Sequence, residues 1–183
     1  MEYLSPHRLH LIYFSAKFLF EYKQETMKTF ICWALLTGLI SFQGHVEVIK
    51  WPALEEYMNK KDDKIKVINF WATWCKPCME ELPYFEQIHR EYKDKNIEVL
   101  LVSLDQASMT DKVKTTLKKN NITAKVVVLD EVDFNKWINL VDTTWSGSIP
   151  ATLIISNNNT SKMFYERQFT KQQLEELILP LKP

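Results

Sequence analysis

Cysteine and glycine are scarce in this chain of 183 residues, which has three of each, and neither sign of charge prevails. The 23 Lys and Arg balance the 23 Asp and Glu, and residues 45–183 alone carry 19 basic and 20 acidic side chains. That balance leaves no electrostatic footprint for nucleic acid, so no nucleic-acid partner is expected. Three cysteines are too few for the framework of a small disulfide scaffold. Only His45 and His89 lie beyond the first 44 residues, so a four-ligand zinc site cannot be assembled from Cys and His, and no metal is expected. Beyond residue 43 the glycines are Gly44 and Gly147, so the turn at Asn157-Asn158-Asn159 has to use Asn for left-handed backbone, which Asn tolerates.

The clearest apolar run, Phe30 to Phe42, has 13 residues, short of the roughly 18–20 that cross a bilayer as a helix. It fits the apolar core of a secretory signal, with Lys28 as the basic flank and cleavage near Gly44. Met27 then reads as the true start, residues 1–26 as an over-extended start, and residues 27–44 as the signal peptide. The alternative is that Leu9 to Phe20 joins the second run as a longer anchor that tethers the protein to a membrane. Cys32 falls inside the apolar core and takes no part in the chemistry. The expectation is an exported protein of the bacterial periplasm or envelope, with one domain over residues 45–183. Apolar residues make up 46% of the chain, enough to bury a sizeable core.

Within that domain, strand and helix patterns alternate. His45 to Ile49 reads as a strand and "WPALEEYMNK" as a helix with Pro52 in its first turn. Lys64 to Trp71 is a buried strand, followed by a helix over Lys76 to Tyr92 with Met79, Leu82, Phe85, Ile88 and Tyr92 on one face. Further strands are expected at Ile97 to Leu104, Ala124 to Asp130, Ala151 to Ser156 and Lys162 to Phe169, and helices at Met109 to Asn120 and Phe134 to Val141. A closing helix follows Thr170 as its cap. The fold class is α/β: a mixed central sheet with helices on both faces and an N-terminal strand-helix addition.

The stretch "NFWATWCKPCMEELPYF" places Cys75 and Cys78 after a strand and at the start of a helix. Closing so short a loop removes little chain entropy, so the pair is a poor structural staple. Two thiolates also suit Cu(I), which keeps a copper carrier open. Redox chemistry fits the position better. Free backbone N–H groups and the macrodipole at a helix start favour a thiolate at Cys75, and Cys78, one turn in, is placed to resolve a mixed disulfide.

The segments "VINFWATWCKPCMEELPYF" and "WSGSIPATLII" resemble the thioredoxin fold, and more closely the exported TlpA/ResA group of thiol–disulfide oxidoreductases. The resemblance spans about Val46 to Leu181. It implies that Cys75 attacks and Cys78 resolves, forming a redox-active Cys75–Cys78 disulfide, with Trp74 and Pro77 beside the pair. It also implies that Ile149 and a cis Pro150 form the opposing wall of the substrate groove. Asn69 stands where cytoplasmic thioredoxins usually carry a buried Asp, so that proton acceptor is missing. Glu81, on the helical face of Cys78, matches the acidic position of the TlpA/ResA group and is a candidate to exchange protons with the thiols. Glu80 is expected to face solvent.

Direction is the remaining question. The pair encloses Lys76-Pro77 and no histidine, and the chain has no room for the helical insertion typical of DsbA-like oxidases. Both features favour a reductant of disulfide-containing proteins, recharged by a membrane thiol donor and acting as a monomer without a cofactor. An oxidase or isomerase of the same fold is the alternative; a peroxidase would place its reactive cysteine in a different motif. Trp51, Trp137 and Trp145 are expected in the core or groove, with Trp145 the one to touch a partner.

Overall fold

The computed structural model describes residues 46–181. The leader reading for residues 1–44, Cys32 included, and the strand residue His45 lie outside them. The described elements run β1 (Glu47–Ile49), α1 (Trp51–Asn59), β2 (Ile65–Trp71), α2 (Lys76–Tyr92), β3 (Ile97–Ser103), α3 (Thr110–Lys119), β4 (Lys125–Leu129), α4 (Ile138–Val141), β5 (Ala151–Ile155), β6 (Lys162–Tyr165) and α5 (Lys171–Ile178). The strands form a six-stranded sheet in the order β1-β4-β3-β2-β5-β6. β1, β4, β3 and β2 run parallel, while β5 lies antiparallel beside β2 and β6 pairs antiparallel with β5 at the edge.

Every residue of β2 is buried, which explains its continuous apolar pattern. Alternation along the strand divides it between two cores. Val67 and Trp71 pack with α2, α3 and α5 on one face, whereas Ile68 and Phe70 pack with α1 and Trp137 on the other. Lys66 lies on the Phe70 face at 1% exposure; its Nζ donates to the Lys60 carbonyl and sits 3.7 Å from Asp62. Helix α2 continues through Pro83, although an interior proline costs about 3 kcal/mol. Full burial of Leu82, Phe85 and Ile88, each worth about 1.5–3 kcal/mol, outweighs that cost.

Four asparagines occupy left-handed backbone: Asn96, Asn121, Asn158 (φ 54°) and Asn159 (φ 56°). The last two close the turn between β5 and β6, where glycine is absent. Two expected elements differ. The helix over Phe134 to Val141 breaks at Trp137 (φ −128°) into a 3₁₀ turn, Phe134–Lys136, and α4, because the Trp137 ring turns into the aromatic core. The strand over Lys162 to Phe169 stops at Tyr165, because Glu166 and Phe169 leave the sheet to bond two other segments. Both segments belong to the site.

Candidate active site

The chain leaves β2 at Trp71 and, after the four residues Ala72 to Cys75, enters α2 at the C-terminal edge of the parallel strands. Asp105, 3% exposed, anchors that turn by accepting from the Thr73 N–H (2.8 Å), the Thr73 hydroxyl (2.6 Å) and the Ser103 hydroxyl (2.8 Å). Nothing in the sequence pattern marks Asp105, because Thr73, the partner that ties it to the turn, lies 32 residues away along the chain.

Cys75 is the N-cap of α2 and is disulfide-bonded to Cys78. The helix has no Ser, Thr or Asp cap; instead the Cys78 N–H donates to the Cys75 sulfur at 3.3 Å. The same donor and the helix dipole would stabilise a thiolate at Cys75 once the disulfide opens. Cys75 retains 5% exposure and Cys78 none. Trp74 stands out at 67% exposure, and Lys76 and Pro77 are exposed beside it. Across from the pair, the Ile149–Pro150 peptide is cis and the Ile149 carbonyl oxygen lies 3.7 Å from the Cys75 sulfur. Ile149 is half-buried and Pro150 buried.

Glu81 lies one turn past Cys78 and has no exposed surface. Its Oε1 accepts from Asn69 Nδ2 (2.8 Å), and its Oε2 accepts from the Phe169 N–H (2.8 Å). Burial pushes its pKa up to about 7, against the opposing effect of those two donors. A carboxyl that titrates near neutrality can give or take a proton at working pH. Glu80, in the same turn, is exposed and 4.0 Å from Lys76. The two adjacent acids therefore have different environments, set by which one faces β2.

Asn69 and Thr152 are buried and face Glu81 from β2 and β5; Asn69 Nδ2 also lies 3.2 Å from Thr152 Oγ1. Neither Thr152 nor the backbone of Phe169 is visible as a site residue in sequence, since they lie about seventy or more residues from Glu81 along the chain. Glu166 holds the loop before the cis-proline. Its carboxylate accepts from the N–H groups of Ser146 (3.0 Å) and Ser148 (2.9 Å) and from the Ser146 hydroxyl. These donors keep the Glu166 carboxyl below the usual range, against the opposing effect of burial.

Trp145 does not reach a partner. It is 4% exposed, packed against Phe70, Trp137 and Phe164 at 4.7–5.5 Å between ring centres, and donates its indole N–H to the Ser148 carbonyl. A large apolar ring at the base of this loop is worth more against Phe70 than in water. The exposed tryptophan of the site is Trp74.

A buried CxxC helix start facing a cis-proline loop, on a mixed sheet covered by helices on both faces, defines a thioredoxin-fold protein. The chain belongs to the AhpC/TSA family, whose model matches residues 40–161. Over 118 residues it is 29% identical to a thiol-disulfide oxidoreductase ResA of Bacillus cereus, covering 63% of this chain and 62% of that relative. The Geobacillus kaustophilus protein of the same name is 28% identical over 116 residues, again covering 63% and 62%. The chain thus spans about 62% of the length of these curated relatives. Its fold is similar to that of a thioredoxin family thiol:disulfide interchange protein from Chlorobium tepidum TLS (TM-score 0.57, 19% identity, 66% of this chain and 81% of that one). It is also similar to that of a thioredoxin-related protein from Neisseria meningitidis serogroup B (TM-score 0.58, 18% identity, 67% and 87%).

Proposed function

We propose that this protein is an exported thiol–disulfide oxidoreductase that reduces disulfides in envelope or secreted proteins. The observation that carries the reading is the asymmetry of the pair: Cys75 keeps a sliver of exposed surface beneath the Ile149 carbonyl, while Cys78 is sealed behind it. The similarity to ResA proteins supports the same chemistry.

In the reduced protein, the Cys75 thiolate attacks one sulfur of a substrate disulfide, forming a mixed disulfide and releasing one substrate thiolate, which takes up a proton. Cys78 gives its proton to the Glu81 carboxylate and attacks the Cys75 sulfur. The Cys75–Cys78 disulfide forms, the second substrate sulfur leaves as a thiolate that takes up the proton held by Glu81, and two electrons have passed to the substrate. A membrane thiol donor then returns two electrons and two protons. Trp74, Pro77, Ile149 and Pro150 surround the sulfur that the substrate approaches, and the protein acts as a monomer.

Single Cys→Ser variants test the assignment. Cys78→Ser should trap a mixed disulfide through Cys75; trapping through Cys78 in Cys75→Ser, with none in the other variant, reverses the roles. Insulin-disulfide reduction together with a redox potential near the thioredoxin value of about −270 mV supports a reductant, and a value near the DsbA potential of about −120 mV overturns that direction. Tight Cu(I) binding without insulin reduction would replace the enzyme with a carrier. N-terminal sequencing of the mature protein checks cleavage near Gly44.

A further inference from the structure

Asn69 has an unfinished hydrogen-bond inventory. A side-chain amide carries two donors and an acceptor oxygen. Here Nδ2 meets Glu81 Oε1 at 2.8 Å, Thr152 Oγ1 at 3.2 Å and the Ala151 carbonyl at 3.4 Å. Its Oδ1 is buried and has no hydrogen-bond partner among the described residues. A buried carbonyl oxygen left unpaired costs about 1–3 kcal/mol, enough to need a reason in the middle of the central strand.

The other member of the pair suggests one. A carboxylate needs a donor from its neighbour, whereas a carboxylic acid needs an acceptor for its O–H. Rotating the Asn69 amide by half a turn exchanges Nδ2 and Oδ1 without moving the backbone. The rotation gives up the 3.4 Å contact to the Ala151 carbonyl and turns the Nδ2 donors to the side on which Oδ1 now lacks a partner, a cost that the new bond to the acid has to offset. Oδ1 would then accept from protonated Glu81, and the Thr152 hydroxyl, next to it, can donate to the same oxygen. We infer that Asn69 is a positioning residue for the Glu81 proton: its amide donates to the carboxylate, turns to accept from the acid, and so matches each protonation state with a hydrogen bond.

The surroundings leave this role to Asn69. On α2 the titratable neighbours of Glu81 are Cys78, held in the disulfide, Glu80, which faces solvent beside Lys76, and Tyr84. β2 flanks Asn69 with Ile68 and Phe70, and the Lys66 ammonium reaches toward Lys60 and Asp62. β5 presents Thr152. From the segment before α5, the Arg167 guanidinium lies over the Phe169 ring at 3.9 Å from its centre, and Tyr165 packs on the same ring. On α5, Lys171 pairs with Glu91 and Glu175. The direct hydrogen bonds to the Glu81 carboxyl come from Asn69 and the Phe169 backbone, and the latter is a fixed donor. Asn69 is the one of the two that can reverse its polarity.

The coupling stands on this geometry; its use in thiol exchange rests on the reading of Glu81 given above. In the wild-type oxidised protein, NMR titration should show the Asn69 side-chain amide resonances moving with the same midpoint as the Glu81 carboxyl carbon. Asn69→Leu removes a charge-assisted bond to the carboxylate and a weaker neutral bond to the acid, so the Glu81 midpoint should rise by the difference between them, about half a unit to one unit. Asn69→Ser, smaller and still polar, serves if the leucine variant does not fold, and should raise it in the same direction. In reduced protein, either substitution should move the pH profile of cysteine alkylation when Glu81 is present and leave it in place in a Glu81→Gln background. An Asn69 amide that stays still through the Glu81 titration, or a Glu81 midpoint indifferent to position 69, overturns the inference. If instead the NMR coupling is present but Glu81→Gln leaves the alkylation profile unchanged, the inference about Asn69 stands and the acid–base reading of Glu81 fails.

Discussion

Replacing Glu81 by Gln should change how the stability of the oxidised protein depends on pH. Burial holds the folded carboxyl near pH 7, against an ordinary 4.5. At about 1.4 kcal/mol per pH unit the difference amounts to about 3 kcal/mol. The sign follows from proton binding. Between pH 4.5 and 7 the folded state keeps the Glu81 proton while the unfolded chain has lost it, so unfolding releases a proton and stability falls as pH rises. The favourable contribution is complete below about pH 4.5 and gone above about pH 7. Gln does not titrate. It also introduces a pH-independent offset from its altered bonds to Asn69 and Phe169, which cancels when slopes are compared. Urea denaturation of both oxidised proteins from about pH 4 to about pH 8.5 should therefore show the variant gaining about 3 kcal/mol on the wild type across that window. The disulfide keeps both cysteines out of the titration. Stability curves that stay parallel within about 1 kcal/mol would refute the reasoning, because the carboxyl would then titrate alike in both states.

Three other substitutions test separate parts of the structure. Trp74→Ala should leave the urea midpoint almost unchanged, since the ring is 67% exposed, yet slow reduction of a protein disulfide several-fold more than that of a small disulfide; equal losses would remove Trp74 from the docking surface. Glu86→Ala should cost about 2–3 kcal/mol in urea denaturation, because the buried carboxylate accepts from the Ala124 N–H (3.0 Å), the Thr123 N–H (2.7 Å) and the Thr123 hydroxyl (2.6 Å). Glu166→Ala should speed amide hydrogen exchange at Ser146 and Ser148 and raise KM for a protein disulfide, with Glu166→Gln restoring part of both; unchanged exchange would mean that the carboxylate does not hold the cis-proline loop.

Features that depend on neighbours in the chain are legible in the sequence itself. Hydrophobic periodicity marks α2 from Lys76 to Tyr92, because a helix face is set by spacing within one element. The left-handed turn at Asn158 and Asn159 follows from the lack of glycine there, since backbone sterics act on single residues. The cysteine spacing likewise puts both sulfurs within one helical turn. What two distant segments do to each other is not legible in this way. Helical phase already separates Glu80 from Glu81, putting the second on the face of Cys78, but only packing against β2 and the Phe169 backbone makes that face dry enough for a carboxyl to titrate near neutrality. Trp74 and Trp145 are both tryptophans beside the site, yet Phe70, Trp137 and Phe164 take one into the core and leave the other in solvent. Local sterics and periodicity are written in the chain, whereas desolvation depends on what arrives from elsewhere. The sequence alone determined the fold class and the position of the cysteines; the tertiary structure decided how deeply Glu81 is desolvated and which tryptophan stays exposed beside the pair.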